Sequence, residues 1–205
     1  MDLSTFLYFL VASVLLTIAP GPDIMYLLAK SLADGARSGI ALAFGLCTGL
    51  IFHTTLVIIG VAAVIQQSPT AFAVLKYAGV AYLLYLAWGA FHAQGDLKLN
   101  TVNKSASYFK LYRRGVIMNV LNPKVLLFFL AFLPQFVNLN SDSVSLQIAF
   151  LGFIFGLQTL IVFSLVAVCA GKVRDYILNI KNFNKIMGYV QGIVLIGISL
   201  ALIIS

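Results

Sequence analysis

Long apolar runs, separated by short polar or basic links, make up most of the chain. About 20 consecutive apolar residues are needed to cross the hydrocarbon of a bilayer. Six runs reach that length, at residues 3–28, 39–65, 71–92, 115–137, 144–171 and 187–204. They are too long for the strands of a membrane barrel and lack its alternation. The pattern therefore predicts an all-α polytopic membrane protein with six transmembrane helices. The first run starts directly after Met1-Asp2, with no basic region before it, and is too long for a cleavable signal. It reads as the first span.

Two runs are interrupted. Thr17-Ile18-Ala19-Pro20-Gly21-Pro22-Asp23 places two prolines where a continuous helix is expected. Each removes a backbone donor and clashes with the preceding turn, and Gly21 between them accepts almost any backbone angle. Within a bilayer, broken backbone survives only where protein buries it or a wet cavity receives it. Asn122-Pro123-Lys124 interrupts the fourth run in the same way, and Pro123 leaves the carbonyl of Asn119 without its helical donor. Each break carries an ionisable residue, Asp23 or Lys124. An uncompensated charge at a helix centre costs about 2.5–3.5 kcal/mol on insertion scales. A break and a charge at one depth point to a site.

The links set orientation. Lys30 and Arg37 fall between runs one and two. Lys98, Lys104, Lys110, Arg113 and Arg114 fall between three and four, and Lys172, Arg174, Lys181 and Lys185 between five and six. Only Lys76 lies toward the other side, so the positive-inside rule puts these three links in the cytoplasm and both termini outside. The long polar link at about 93–114 divides a single transmembrane domain, 1–205, into repeat one (about 3–92) and repeat two (about 115–204). Three spans per half make the second half inverted relative to the first, as in many secondary transporters. Each half opens with a Pro-interrupted span and continues with a GxxxG span, Gly45/Gly49 and Gly152/Gly156. Such glycines permit close helix packing.

Composition agrees: 61% of the 205 residues are hydrophobic and 9% charged, against about 45–50% and 25% in soluble domains. The net charge of +7 suggests nucleic acid, but the cations lie between apolar runs, as topology requires. No glutamate is present, so Asp supplies every side-chain carboxylate. Cys47 and Cys169 have neither CxxC nor metal-ligand spacing. No cofactor or metal site is expected.

The candidate chemistry is that of a zwitterion. Asp23 suits an ammonium group; Lys124 and the amides of a broken helix suit a carboxylate. Asp23 and Lys124 could meet in the inner half of the bilayer, although Lys124 lies about two and a half turns from the start of its span and could instead snorkel. Asn119, Asn122 and Gln158 add buried amides, with Pro20, Gly21, Pro22 and Pro123 as the frame. His53, near midplane, could relay protons or serve only in helix packing.

These residues carry a resemblance. Ala19-Pro20-Gly21-Pro22-Asp23, then Gly35-Ala36-Arg37-Ser38-Gly39, the stretch KYAGVAYLLYLAW from Lys76 to Trp88, Asn122-Pro123-Lys124, Phe128-Phe129 and Leu133-Pro134-Gln135-Phe136 resemble, in order, the LysE/RhtB family of bacterial amino-acid exporters. That family includes homoserine/threonine and leucine exporters. The resemblance implies a multi-pass carrier of the bacterial inner membrane, driven by the proton gradient and often oligomeric. Residues and resemblance together predict a secondary active transporter, not an enzyme, that exports amino acids or related metabolites by alternating access. The other class weighed is a membrane thiol-redox carrier using Cys47 and Cys169.

Overall fold

A computed structural model describes residues 3–60, 68–92, 107–138, 141 and 143–204. The elements are α1 (Leu3–Ile18), α2 (Pro22–Asp34), α3 (Ala36–Gly60), α4 (Pro69–Phe91), α5 (Tyr108–Val120), α6 (Pro123–Leu127), α7 (Val144–Asn179) and α8 (Phe183–Ile204). After α6 the chain continues as a π-helical turn, Phe128–Phe132, and a 3₁₀ turn, Leu133–Phe136. No strand occurs among the described residues. Helices α3, α4, α7 and α8 are each long and apolar enough to cross a membrane. The pairs α1/α2 and α5/α6 are bent by 57° and 50° at their breaks, giving six candidate spans if each bent pair counts as one.

The breaks fall where the prolines are. Pro22 is the first residue of α2 and Pro123 the first of α6, positions where a missing N–H costs nothing. Asn122 caps α6, its side-chain oxygen accepting from the Lys124 amide at 3.0 Å.

Three boundaries differ from the sequence reading. The first link is shorter than expected: α2 runs to Asp34, and Gly35 alone, at φ 87°, turns the chain into α3. That left-handed angle favours glycine. Lys30 is consequently not a loop cation. It lies in α2, 1% exposed, and ion-pairs with Asp34 one turn on. Helix α5 starts at Tyr108, capped by Ser107, so Lys110, Arg113 and Arg114 are helical. Lys98 and Lys104, with the rest of 93–106, lie outside the described residues. Helix α7 continues to Asn179 and carries Lys172 and Arg174 with it.

Helix α3 packs against both α5 and α7, and α4 packs against α8. The glycines permit this. A methyl group on Gly45 would overlap the Tyr112 carbonyl of α5, and one on Gly152 would strike Thr54 of α3. Gly49 faces the Asn119 side chain. Replacing Gly45 with Ala is expected to cost about 1–3 kcal/mol by overpacking, lowering the melting temperature in detergent by about 2–12 °C. Gly89→Ala, whose added carbon would meet nothing within 4 Å, should melt with the parent.

Two apolar clusters form the core. The larger holds Phe9, Leu16, Phe128, Phe129, Phe132 and Phe155 among its members. The smaller holds Leu27, Leu42, Leu46, Phe163 and Ala167. The candidate site lies between them.

Candidate functional site

Pro20 cannot donate to the carbonyl of Leu16, and the bend strips Ala19 of its helical donor as well. Both carbonyls are taken by one side chain from the other half of the chain. The Lys124 ammonium donates to Leu16 O at 3.1 Å and to Ala19 O at 2.9 Å. Lys124 is 7% exposed, so it does not snorkel. The head group also explains a small residue at position 21. Gly21 has extended backbone that any residue adopts, but an added carbon would stand 3.2 Å from Lys124 Nζ.

The second break is closed in the same manner. The Asn119 carbonyl, which loses its donor to Pro123, receives His53 Nε2 from α3 at 2.9 Å and the Asn122 amide at 2.9 Å. His53 is fully buried between the rings of Phe52 and Phe129. Its Nδ1 has no partner. His53→Leu therefore removes one buried hydrogen bond, leaving the carbonyl its Asn122 donor. The expected loss is about 1–2 kcal/mol, read as a melting temperature lower by about 2–8 °C.

Asp23 occupies the first turn of α2 and is 6% exposed. The helix N-terminus favours a carboxylate there. Its Oδ2 accepts from Asn119 Nδ2 at 3.4 Å, a long contact, and its Oδ1 has no partner. Asn119 Oδ1 is also unpartnered. Asp23 and Lys124 line the same cavity with Asn119, Asn122, Thr17 and Thr159, yet form no direct ion pair. Among the described residues, Lys124 goes to backbone and Asp23 to Asn119.

Like His53, Gln158 is a sequence candidate that the structure places off the cavity wall. Its amide nitrogen donates to Thr17 Oγ1 and Thr159 Oγ1, both at 2.9 Å. It fastens α7 to α1 behind the site. Thr17 is the wall residue that sequence reasoning missed. It bonds Ser13 O at 2.9 Å, and the four-residue spacing of these two hydroxyls on one face of α1 was the available signal.

The cavity has a volume of about 20 Å³, room for about one water and for no amino acid. Phe155 from the larger apolar cluster and Phe163 from the smaller both touch it. The site is too small to hold a substrate in this state. Cys47 and Cys169 share no part of it. Gly39 of α3 packs against Ala167 of the antiparallel α7, which puts Cys169 about 15 Å of helix from Cys47, beyond the reach of a disulfide.

A small hollow with an acid and a base in its wall, where two broken helices meet among apolar helices of spanning length, is the frame of a multi-pass membrane protein. The chain belongs to the LysE type translocator family, whose model matches residues 14–205. It is 32% identical over 192 residues to the uncharacterized membrane protein YrhP of Bacillus subtilis, covering 89% of this chain and 90% of the relative. It is 31% identical over 183 residues to the homoserine/homoserine lactone efflux protein of Salmonella typhimurium, 88% of each. An uncharacterized membrane protein of Vibrio cholerae is 33% identical over 142 residues, 69% of each. No solved structure matches the chain.

Proposed function

We propose that the chain is a secondary active transporter of the bacterial inner membrane that exports amino acids or related small metabolites. The whole chain acts as one transmembrane domain of six spans, termini outside, built as two inverted three-span repeats. The repeated order of bent pair, long helix and helix supports this. Alternating access moves the halves about the site, with Asp23 as ammonium or proton acceptor and Lys124 as carboxylate anchor or counter-ion. Asn119 and Asn122 orient the ligand, and His53 holds the second break.

One observation carries the reading. An acid and a base line one small cavity between two helix breaks, and the acid keeps a buried oxygen without a hydrogen-bond partner. A scaffold subunit has no use for buried ionisable groups left unspent in this way. The name of the Salmonella relative makes homoserine the first amino acid to try. Cells overexpressing the protein should survive inhibitory homoserine or threonine and accumulate it outside. In everted vesicles, uptake should require an acidic lumen and cease with a protonophore. Uptake insensitive to the protonophore would remove the proton; no protection by any amino acid in a full panel would remove the substrate class.

A further inference from the structure

A second hollow, of about 310 Å³, lies on the far side of the first break. Gly21 borders both hollows. Its wall also includes Pro20 and Pro22 at the break, Met25 of α2, and Asn184, Met187 and Gln191 among the first turns of α8. Unlike the central cavity, this one has the volume to take a small amino acid. Asn184 contributes a side-chain amide to its wall. Gln191 adds a second amide one face along.

The position is as informative as the size. Asn184 and Gln191 lie within the first three turns of α8, about 12 Å of helix from its start. That start adjoins the basic residues Lys181 and Lys185, both exposed, on the end that charge distribution assigns to the cytoplasm. The hollow therefore stands between that end and the cavity holding Asp23. The two hollows share Gly21, and the Lys124 ammonium stands 3.2 Å from where a side chain on Gly21 would begin. That ammonium is fixed by its two bonds to Leu16 O and Ala19 O.

We infer that this hollow is a loading site, where a zwitterionic substrate rests against the amides of Asn184 and Gln191 before passing Gly21. The inference depends on the transport reading above. The Lys124 head is the gate. A carboxylate arriving at Gly21 offers acceptors that compete with the two carbonyls, and drawing Lys124 away from them releases the break to open the central cavity. Substrate binding and gate release are then one exchange of hydrogen bonds. The small size of Gly21 is required because any side chain would occupy the passage.

The test uses the full chain carrying Cys47→Ser and Cys169→Ser, with Asn184→Cys as the probe and Gln191→Cys as a second variant in case the first misfolds. A cationic, membrane-impermeant methanethiosulfonate is applied to everted vesicles and to spheroplasts, and efflux of radiolabelled homoserine is measured before and after. Labelling is expected from the cytoplasmic face only, and should slow efflux by at least about tenfold relative to the same unlabelled variant, as loss of an obligatory contact does. Labelling from the outer face, no labelling of either variant, or full labelling with undiminished efflux would overturn the loading site. Asp23→Asn in the same vesicles separates the two ideas. Efflux that survives Asp23→Asn but is blocked by the label sinks the central site and keeps this one.

Discussion

Asp23→Asn is expected to stop export while the protein stays inserted, folded and as heat-resistant as its parent. The substitution keeps the shape and removes only the charge. Little native bonding goes with it, because Oδ1 has no partner and Oδ2 makes a single long contact to the Asn119 amide. That contact is worth about 1 kcal/mol at most, and losing a buried charge offsets it. Function should respond differently. A hydrogen bond to a charged group contributes about 1.5–3 kcal/mol, so a substrate ammonium deprived of its carboxylate would bind some ten to a hundred times more weakly. If the same carboxylate carries the coupled proton, turnover falls further. The check is efflux of radiolabelled homoserine from proteoliposomes beside a melting curve of the same preparation. Undiminished efflux would remove Asp23 from the mechanism; a collapsed melting curve would make it a structural residue.

The larger features of this arrangement could be read from residue order alone, because proline acts locally. Pro20, Pro22 and Pro123 each forbid one backbone bond at a known offset, so both breaks and the freed Asn119 carbonyl were legible. Which group would receive a freed carbonyl was not. Lys124 is 105 residues from Ala19 and His53 is 66 from Asn119, and no spacing in the chain encodes such pairings. Electrostatic intuition pointed Lys124 at Asp23, whereas backbone carbonyls with no other donor compete for the same ammonium and hold it. Lys30 misled for a related reason. A cation beside Gly35 looks like a loop residue until Asp34, one helical turn away, supplies its counter-charge. The basic opening turns of α5 hid a helix that apolar length could not reveal.

The two apolar clusters differ in how much they cost to part. The larger one stacks Phe128, Phe132 and Phe136 with Phe9 and Phe155. These rings come from α1, α7 and the irregular turns after α6. The smaller cluster uses Leu27, Leu42, Leu46 and Phe163, from α2, α3 and α7. Separating the aromatic stack exposes more apolar area than parting the smaller cluster, and cost scales with that area. Under the proposed alternating access, the smaller cluster is therefore the less costly of the two to part.

Lys124 should behave unlike Asp23, losing stability and transport together. Lys124→Met keeps the apolar stem and deletes the ammonium, leaving Leu16 O and Ala19 O without their donor. Two charge-assisted bonds are worth about 3–6 kcal/mol. Relief from burying the charge, and room in the adjoining cavity for about one water, return part of that. A net loss of about 3 kcal/mol would lower the melting temperature by about 6–12 °C in a chain of this length. Lys124→Arg tests whether charge alone suffices. One compact ammonium serves both carbonyls beside a cavity of about 20 Å³, a geometry that a larger planar guanidinium does not reproduce. Export should fail in the Arg variant although the positive charge remains. Melting curves and homoserine efflux for both variants decide the matter. Wild-type values in Lys124→Met would mean that the first break is held by something other than this side chain, and a fully active Lys124→Arg would mean that charge, not fit, is what the site requires.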